Sequence, residues 1–332
     1  MIADYNIGHP TTVALPKDFS STEPVSMQDV QGGTSRPIVN SREADFFKEH
    51  GYLIKRGLLS NRDQLYKAVE HLWSNVPRDV IKRDDPNTWI DAPEKKWQEG
   101  DHERVGKLYG TNWKMRSHGE DGIGTELFLV DEIANHPVMI AIAESFLGAP
   151  IKPVERVRGI YAVLPQAPDS VGSLVPHGDY MAAQLSAMVL VDRVDPHGGG
   201  FTVWPGSHKQ LHMQWDRVHG TTISGSRVEG YRKTRDRVIR EIAPVEFSGD
   251  CGDVVFWHPR LIHSPGVNQS YKLGDPKVRV IVSVDYQKAG QTYIDDLEFG
   301  PGPIYQWWID TRNFAEDQPS TAENLWDSWA IG

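Results

Sequence analysis

Cysteine is almost missing: Cys251 is the one such residue in a chain of 332. No intrachain disulfide can form, and neither a four-thiolate zinc site nor an iron–sulfur cluster can be built. Any metal has to be held by histidine and carboxylate. Long apolar runs are absent too. Val189-Leu190-Val191 and Val280-Ile281-Val282 are among the longest, far short of the ~20 residues that span a bilayer, so no membrane association is expected. The chain opens Met1-Ile2-Ala3-Asp4-Tyr5, with neither a basic start nor an apolar stretch. No secretory signal is read, and a cytoplasmic location is expected. Positive charge is in deficit: 35 Lys and Arg stand against 45 Asp and Glu, a net charge of −10. That disfavours a nucleic-acid partner, because attraction to phosphates needs a basic surface. With 39% hydrophobic and 24% charged residues, the chain has an ordinary globular balance rather than that of a disordered or collagen-like one.

Residues 1–40 carry Pro10, Pro16, Pro24, Pro37 and Gly32-Gly33 without a sustained period, which predicts an irregular arm. Residues 41–332 read as one domain in three parts: a helical layer (41–150), a β core (151–290) and an aromatic-rich tail (291–332). In the first part the sequence predicts a short helix around Arg42–His50, then a strand at Gly51-Tyr52-Leu53-Ile54. A longer helix starts at Ser60, where Ser60-Asn61-Arg62-Asp63 has the form of a capping box. Its apolar face is Leu65, Ala68, Val69, Leu72 and Trp73. A third helix runs from Pro137 to Leu147, with Pro137 in its first turn and Gly148 as its stop. After Pro150, six runs rich in Val, Ile, Tyr and Phe (154–164, 184–194, 201–204, 242–247, 253–257 and 278–286) are separated by Pro, Gly, Asp and Ser clusters. Short strands without helices between them predict an antiparallel sandwich or barrel.

His177-Gly178-Asp179 lies in the β half. On a strand, residues two apart share a face, so an imidazole and a carboxylate can converge on one ion. It is the one His-x-Asp among 13 histidines. A rival, His118-Gly119-Glu120, sits in a Gly-rich, loop-like stretch before the β half. Further on, Gly252-Asp253 leads into the apolar Val254–Trp257, and after a polar break His263 precedes Ser264-Pro265-Gly266. Two histidines and one carboxylate leave three positions open on Fe(II), which suits a bidentate co-substrate together with O2. A structural zinc wants a closed shell instead.

These residues resemble the phytanoyl-CoA dioxygenase (PhyH)-like family of Fe(II)/2-oxoglutarate oxygenases. Phe47–Leu59 is similar to the family's opening, and Pro176-His177-Gly178-Asp179 to its proximal ligand pair. Gly199–Lys209, with Pro205-Gly206-Ser207-His208, is similar to its Gly-x-Pro-Gly-Ser-His turn, and Gly252–Ser270 to its distal-ligand strand. The resemblance covers roughly Arg42–Lys288. It implies a mainly β fold with flanking helices around a double-stranded β-helix, the jelly-roll of cupin-like proteins. The implied cofactors are Fe(II), 2-oxoglutarate and O2, and the implied metal ligands are His177, Asp179 and His263. Arg279, in the apolar run Val278–Val282, takes the role of the family's arginine that grips the distal carboxylate of 2-oxoglutarate. A buried arginine needs an anion, and its planar fork fits a carboxylate. Thr202 is a further candidate beside the co-substrate. The family often has a serine two residues after the distal histidine; here Pro265 stands there, with Ser264 before it, and that contact is not carried over.

The implied reaction is hydroxylation of an unactivated C–H bond of a small organic molecule, coupled to decarboxylation of 2-oxoglutarate to succinate and CO2. Halogenating relatives lack the carboxylate that Asp179 supplies. Desaturating, ring-forming and epimerising variants keep it and stay open. Ser226–Arg240 carries Arg227, Arg232, Lys233, Arg235, Arg237 and Arg240 against Glu229 and Asp236. It suits either a lid that steers an anionic substrate or a solvated loop. Arg232, Arg235 and Trp204 are the candidate substrate contacts. Of 11 tryptophans, Trp307, Trp308, Trp326 and Trp329 fall in the tail, where packing is the favoured role. His208 reads as a turn-stabilising residue, His258 as structural or as a support behind a metal ligand, and Cys251 as a buried small residue rather than a nucleophile. Two other readings remain: a cupin-type metal isomerase or lyase that does not use 2-oxoglutarate, and an oxygenase acting on a peptide or protein. The sequence leaves the oligomeric state open.

Overall fold

The computed structural model describes residues 38–90, 93–97, 106–116, 122–148, 150–179, 184–212, 229–289, 326, 329 and 331. His118-Gly119-Glu120, Arg227, Trp307 and Trp308 lie outside them.

Helix α1 (Ser41–His50) begins with a reciprocal cap, in which Asn40 accepts from the Glu43 amide and Glu43 accepts from the Asn40 amide. It ends at Gly51, whose φ of 81° places it in the left-handed region. Strand β1 (Tyr52–Lys55) follows. Helix α2 (Arg62–Asn75) is capped by Asn61, which accepts from the Gln64 amide. The expected Ser60 cap is therefore one residue off. Asn and Ser are comparable caps, and here the amide side chain is the one in reach. Helix α3 (Pro137–Leu147) has Pro137 in its first turn and Gly148 at its C-cap, as expected.

The β half follows the expected runs, with trimmed ends: β4 (Gly159–Val163), β5 (Leu185–Leu190), β6 (Phe201–Val203), β7 (Val245–Phe247), β8 (Val254–Trp257) and β10 (Arg279–Tyr286). Three further strands arise where no apolar run announced one. A polar hairpin, β2 (Lys107–Tyr109) and β3 (Asn112–Arg116), pairs onto β4, and β9 (His263–Pro265) is only three residues long. Two helices also interrupt the strands: α4 (Ser207–His212) and α5 (Glu229–Glu241). The expectation of strands without intervening helices therefore does not hold.

The larger sheet has the order β1-β8-β5-β10-β4-β3-β2 and the smaller one β7-β6-β9. An antiparallel bridge between His177 and His263 extends the smaller sheet by one more segment. Along the chain, β4, β5, β8 and β10 belong to the large sheet, whereas His177, β6, β7 and β9 belong to the small one. This alternation is a double-stranded β-helix, the jelly-roll the sequence resemblance implied. The period of two sorts the strands' residues. Val280, Val282, Val284, Leu185, Ala187, Val189 and Phe256 pack outward with α1, α2 and α3. Ile281, Met188, Leu190, Val255 and Trp257 face inward against Phe201, Val203, Val245 and Phe247 of the small sheet. Trp326 and Trp329 pack against Phe47 and His258 on the helical side.

Candidate metal centre

His177 and His263 meet where their backbones pair, each amide donating to the other's carbonyl at 2.9 and 2.8 Å. The two rings lie with centroids 4.5 Å apart. Each ring is aimed by its own backbone. His177 Nδ1 lies 2.7 Å from Val175 O, and His263 Nδ1 lies 2.9 Å from Leu261 O. A carbonyl can only accept, so both Nδ1 atoms carry the proton and both Nε2 lone pairs are left for a ligand. Asp179 is buried and turns Oδ1 to within 3.5 Å of His263 Nε2. Potential ligand atoms of His177, Asp179 and His263 all lie within 4.8 Å of one another. Among the described residues this is the one group of three or more such side chains.

The electrostatics suit a cation. Burial and the neighbouring His263 push His177 down to about 3, so its imidazole is neutral at physiological pH. Burial alone would raise Asp179, but the Arg158 guanidinium together with His263 and His177 outweighs it and holds the carboxyl well below its usual range. Two imidazoles and one carboxylate are the donor set of a divalent iron that must also take up a co-substrate.

Arg279 opens β10. Strand alternation puts it on the same inner face as Ile281, Ser283 and Asp285. It is buried, its Nε has no hydrogen-bond partner, and no carboxylate forms an ion pair with it among the described residues. Burial lowers its pKa to about 10, with Glu246 opposing the shift. A buried cation without a partner is costly. It fits an anionic ligand between the sheets, and Ser283 Oγ and Trp257 Nε1 are further buried polar atoms on that face without a partner.

Other expected contacts are not brought together. Thr202 pairs with Ser264 and Glu246, while its strand neighbours Phe201 and Val203 are the ones packed inward. Its hydroxyl donates to Gly200 O at 3.2 Å. The period of two therefore turns Thr202 away from the triad's face. Trp204, on the same side, is fully buried among Leu174, Leu211, Val238, Ile239 and Ile262, so it is a packing residue. The basic Ser226–Arg240 segment is helix α5 from Glu229 onward, seated on that cluster through Val238 and Ile239 rather than forming a free loop. Arg235 is paired with its neighbour Asp236 at 2.9 Å, and the Arg232 side chain lies outside the description. Ser264 Oγ is committed to Pro265 O and to the Val175 amide.

Sequence reasoning missed Arg158, which donates from Nη1 to Asp179 Oδ2 at 2.7 Å, and its second partner Asp285. Both are charges inside apolar strand-like runs, the same signal that marked Arg279. Lys114 was also missed; it lies near Tyr161, with its Nζ 5.4 Å from that ring's centroid, and its charge bears on His177.

The profile of the phytanoyl-CoA dioxygenase (PhyH) family matches residues 47–273, more than half of the chain. The chain belongs to the PhyH family. Bovine peroxisomal phytanoyl-CoA dioxygenase is 23% identical over 283 residues, covering 81% of this chain and 74% of that protein. Among solved structures, EctD from S. alaskensis with bound Fe is similar with a TM-score of 0.48 and 15% identity, covering 87% of this chain and 89% of that one. The epimerase SnoN in complex with Fe3+, alpha ketoglutarate and nogalamycin RO is similar with a TM-score of 0.44 and 19% identity, covering 79% and 90%. PhyH proteins are oxygenases dependent on Fe(II), 2-oxoglutarate and O2, and this chain is an oxidoreductase of that class. Among the described residues, no helix is long and apolar enough to cross a membrane.

Proposed function

We propose that this PhyH-family oxygenase hydroxylates a C–H bond of a small, anionic organic molecule, with His177, Asp179 and His263 holding Fe(II) and Arg279 holding 2-oxoglutarate. The observation that carries the reading is the convergence of the triad together with a buried, unpartnered arginine on the inner face of the large sheet. When bound, Fe(II) and 2-oxoglutarate supply the activation of O2, with succinate and CO2 released.

The chain's own residues position and exclude. His177 and His263 present Nε2 to the metal because Nδ1 of each is tied to a backbone carbonyl, Val175 O and Leu261 O. Asp179 adds one negative charge, which a divalent ion needs and which fills the position a halogenating site leaves for chloride. Arg279 remains protonated below about pH 10 and offers a planar fork to a carboxylate. The packed ring of Phe201, whose centroid lies 5.2 Å from that of His263, keeps water from the small-sheet side of that ligand. Lys114, half-buried and close enough to influence His177, adds positive charge beside the triad and suits an anionic substrate.

A panel of small organic acids, each incubated with the iron-loaded protein and 2-oxoglutarate under 18O2, tests the proposal. Succinate release coupled to a product that has gained one labelled oxygen is the expected result. Coupled succinate release with a product of unchanged mass, or of mass reduced by two hydrogens, contradicts hydroxylation.

A further inference from the structure

We infer that Arg158 is a positioning residue that makes Asp179 a one-oxygen metal ligand of fixed direction. This rests on the reading of His177, Asp179 and His263 as the ligands. Arg158 lies just before β4, and its backbone amide is tied to Ser283 O of β10 at 2.9 Å. Its guanidinium is divided between two carboxylates. Nε and Nη2 hold Asp285 at 2.7 and 2.6 Å, while Nη1 reaches Asp179 Oδ2 at 2.7 Å. Ser186 Oγ braces the arrangement, donating to Asp285 Oδ1 at 2.7 Å and accepting from Arg158 Nη2 at 3.2 Å. Below it, the Trp257 ring centroid lies 5.7 Å from the guanidinium carbon.

Every one of these side chains except Trp257 is polar; Arg158, Asp179, Ser186 and Trp257 are buried, and the Asp285 side chain is 5% exposed. A rigid fork with Nε and Nη2 spent on Asp285 can present Nη1 in one direction only. Asp179 Oδ2 is thereby occupied, and Oδ1 is the oxygen turned toward His263 Nε2. A carboxylate free at both oxygens can take two positions on a metal, which would consume one of those that a bidentate co-substrate and O2 require. Arg158 prevents this. The cluster also keeps a negative charge for a cation: one guanidinium against Asp179 and Asp285 leaves a net charge of −1. Among the described residues Asp285 and Ser186 reach the metal ligand through Arg158, which is the arrangement that tunes a ligand's direction and basicity in metal sites generally.

The test measures Co(II) affinity by chelator competition, together with the visible Co(II) spectrum, in the full chain. Asp285→Asn is nearly isosteric and releases the anchor while leaving Arg158 in place. It should weaken Co(II) binding by about tenfold, and Arg158→Met by up to about a hundredfold, with an altered spectrum in both. Arg158→Lys should fall between, since one ammonium cannot hold two carboxylates in a planar fork. Lys55→Met serves as control. It breaks another buried pair, Lys55–Glu43 at 2.6 Å, and should lower the melting temperature without changing Co(II) affinity or spectrum. If Arg158→Met does not fold, Asp285→Asn carries the test. Wild-type affinity and spectrum in Asp285→Asn, or a loss no larger than in Lys55→Met, overturns the inference. No Co(II) binding by the wild type overturns the ligand set first, and this inference with it.

Discussion

Asp179 and His263 come from separate segments of the small sheet and meet with Oδ1 3.5 Å from Nε2. The approach brings a carboxylate oxygen and an imidazole nitrogen together, a geometry that an ion between them completes. Asp179→Ala should therefore reduce Fe(II) or Co(II) affinity more than a hundredfold while far-UV circular dichroism stays unchanged. Near-wild-type metal binding would remove Asp179 from the ligand set.

The same carboxylate has a pH signature in the metal-free protein. Arg158 holds its folded pKa well below the ordinary 3.8. The stability it contributes is thus fully present above about pH 4 and is lost as pH falls through the lower, folded value. The stability gap between wild type and Asp179→Asn, measured by urea denaturation, should be largest near neutrality and shrink below about pH 4. A gap that widens on acidification would contradict this.

Arg279 titrates at the opposite end of the scale. Burial lowers it to about 10, and it is the cation proposed to hold 2-oxoglutarate. Protonated below that value and neutral above it, Arg279 should hold the co-substrate with constant affinity up to about pH 9. The dissociation constant should then rise as pH climbs past about 10. An affinity indifferent to pH across that range would separate Arg279 from the co-substrate.

Thr202 offers a test of strand parity. It is fully buried, yet it faces away from the side on which Phe201 and Val203 pack. Thr202→Val keeps the shape and removes the hydroxyl, so 2-oxoglutarate affinity should stay within about twofold of wild type. A larger loss would place that hydroxyl at the co-substrate after all.

Gly51 tests how α1 is joined to the barrel. Its φ is 81°, and an added Cβ would lie 2.5 Å from Nδ1 of the buried His208 ring. His208 in turn places Nε2 3.0 Å from Lys48 O, locking the Pro-Gly-Ser-His turn to the end of α1. Gly51→Ala should cost about 2 kcal/mol or more in chemical denaturation, from backbone strain and overlap together. A loss under about 0.5 kcal/mol would mean that the turn yields freely.

Much of this was legible in the chain itself. The apolar-rich runs of β5, β8 and β10 announce two-sided burial, and His177-Gly178-Asp179 announces a shared face. The missing parts share a cause: they are set by pairing rather than by local composition. β9 is His263-Ser264-Pro265, three residues with no strand preference, made into a strand by β6 and by His177. The β2–β3 hairpin is polar outside Leu108, Trp113 and Met115, and the charges on α5 hide the Val238 and Ile239 anchor. The direction of Thr202 follows from the parity that its neighbours Phe201 and Val203 display once they pack inward. Arg158 and Asp285 lie inside apolar runs as Arg279 does, but their pairing with each other and with Asp179 joins residues 21 or more apart and is set by the fold.

The central claim is that one site holds both Fe(II) and 2-oxoglutarate, with the co-substrate anchored by Arg279. Anaerobic titration of the metal-free protein with Fe(II) and 2-oxoglutarate, following the visible metal-to-ligand charge-transfer band, tests it most directly. A band in the wild type that needs at least tenfold more 2-oxoglutarate to develop in Arg279→Leu is the predicted result. Tight iron binding without any band would contradict the account and favour a cupin-type metal enzyme that does not use 2-oxoglutarate.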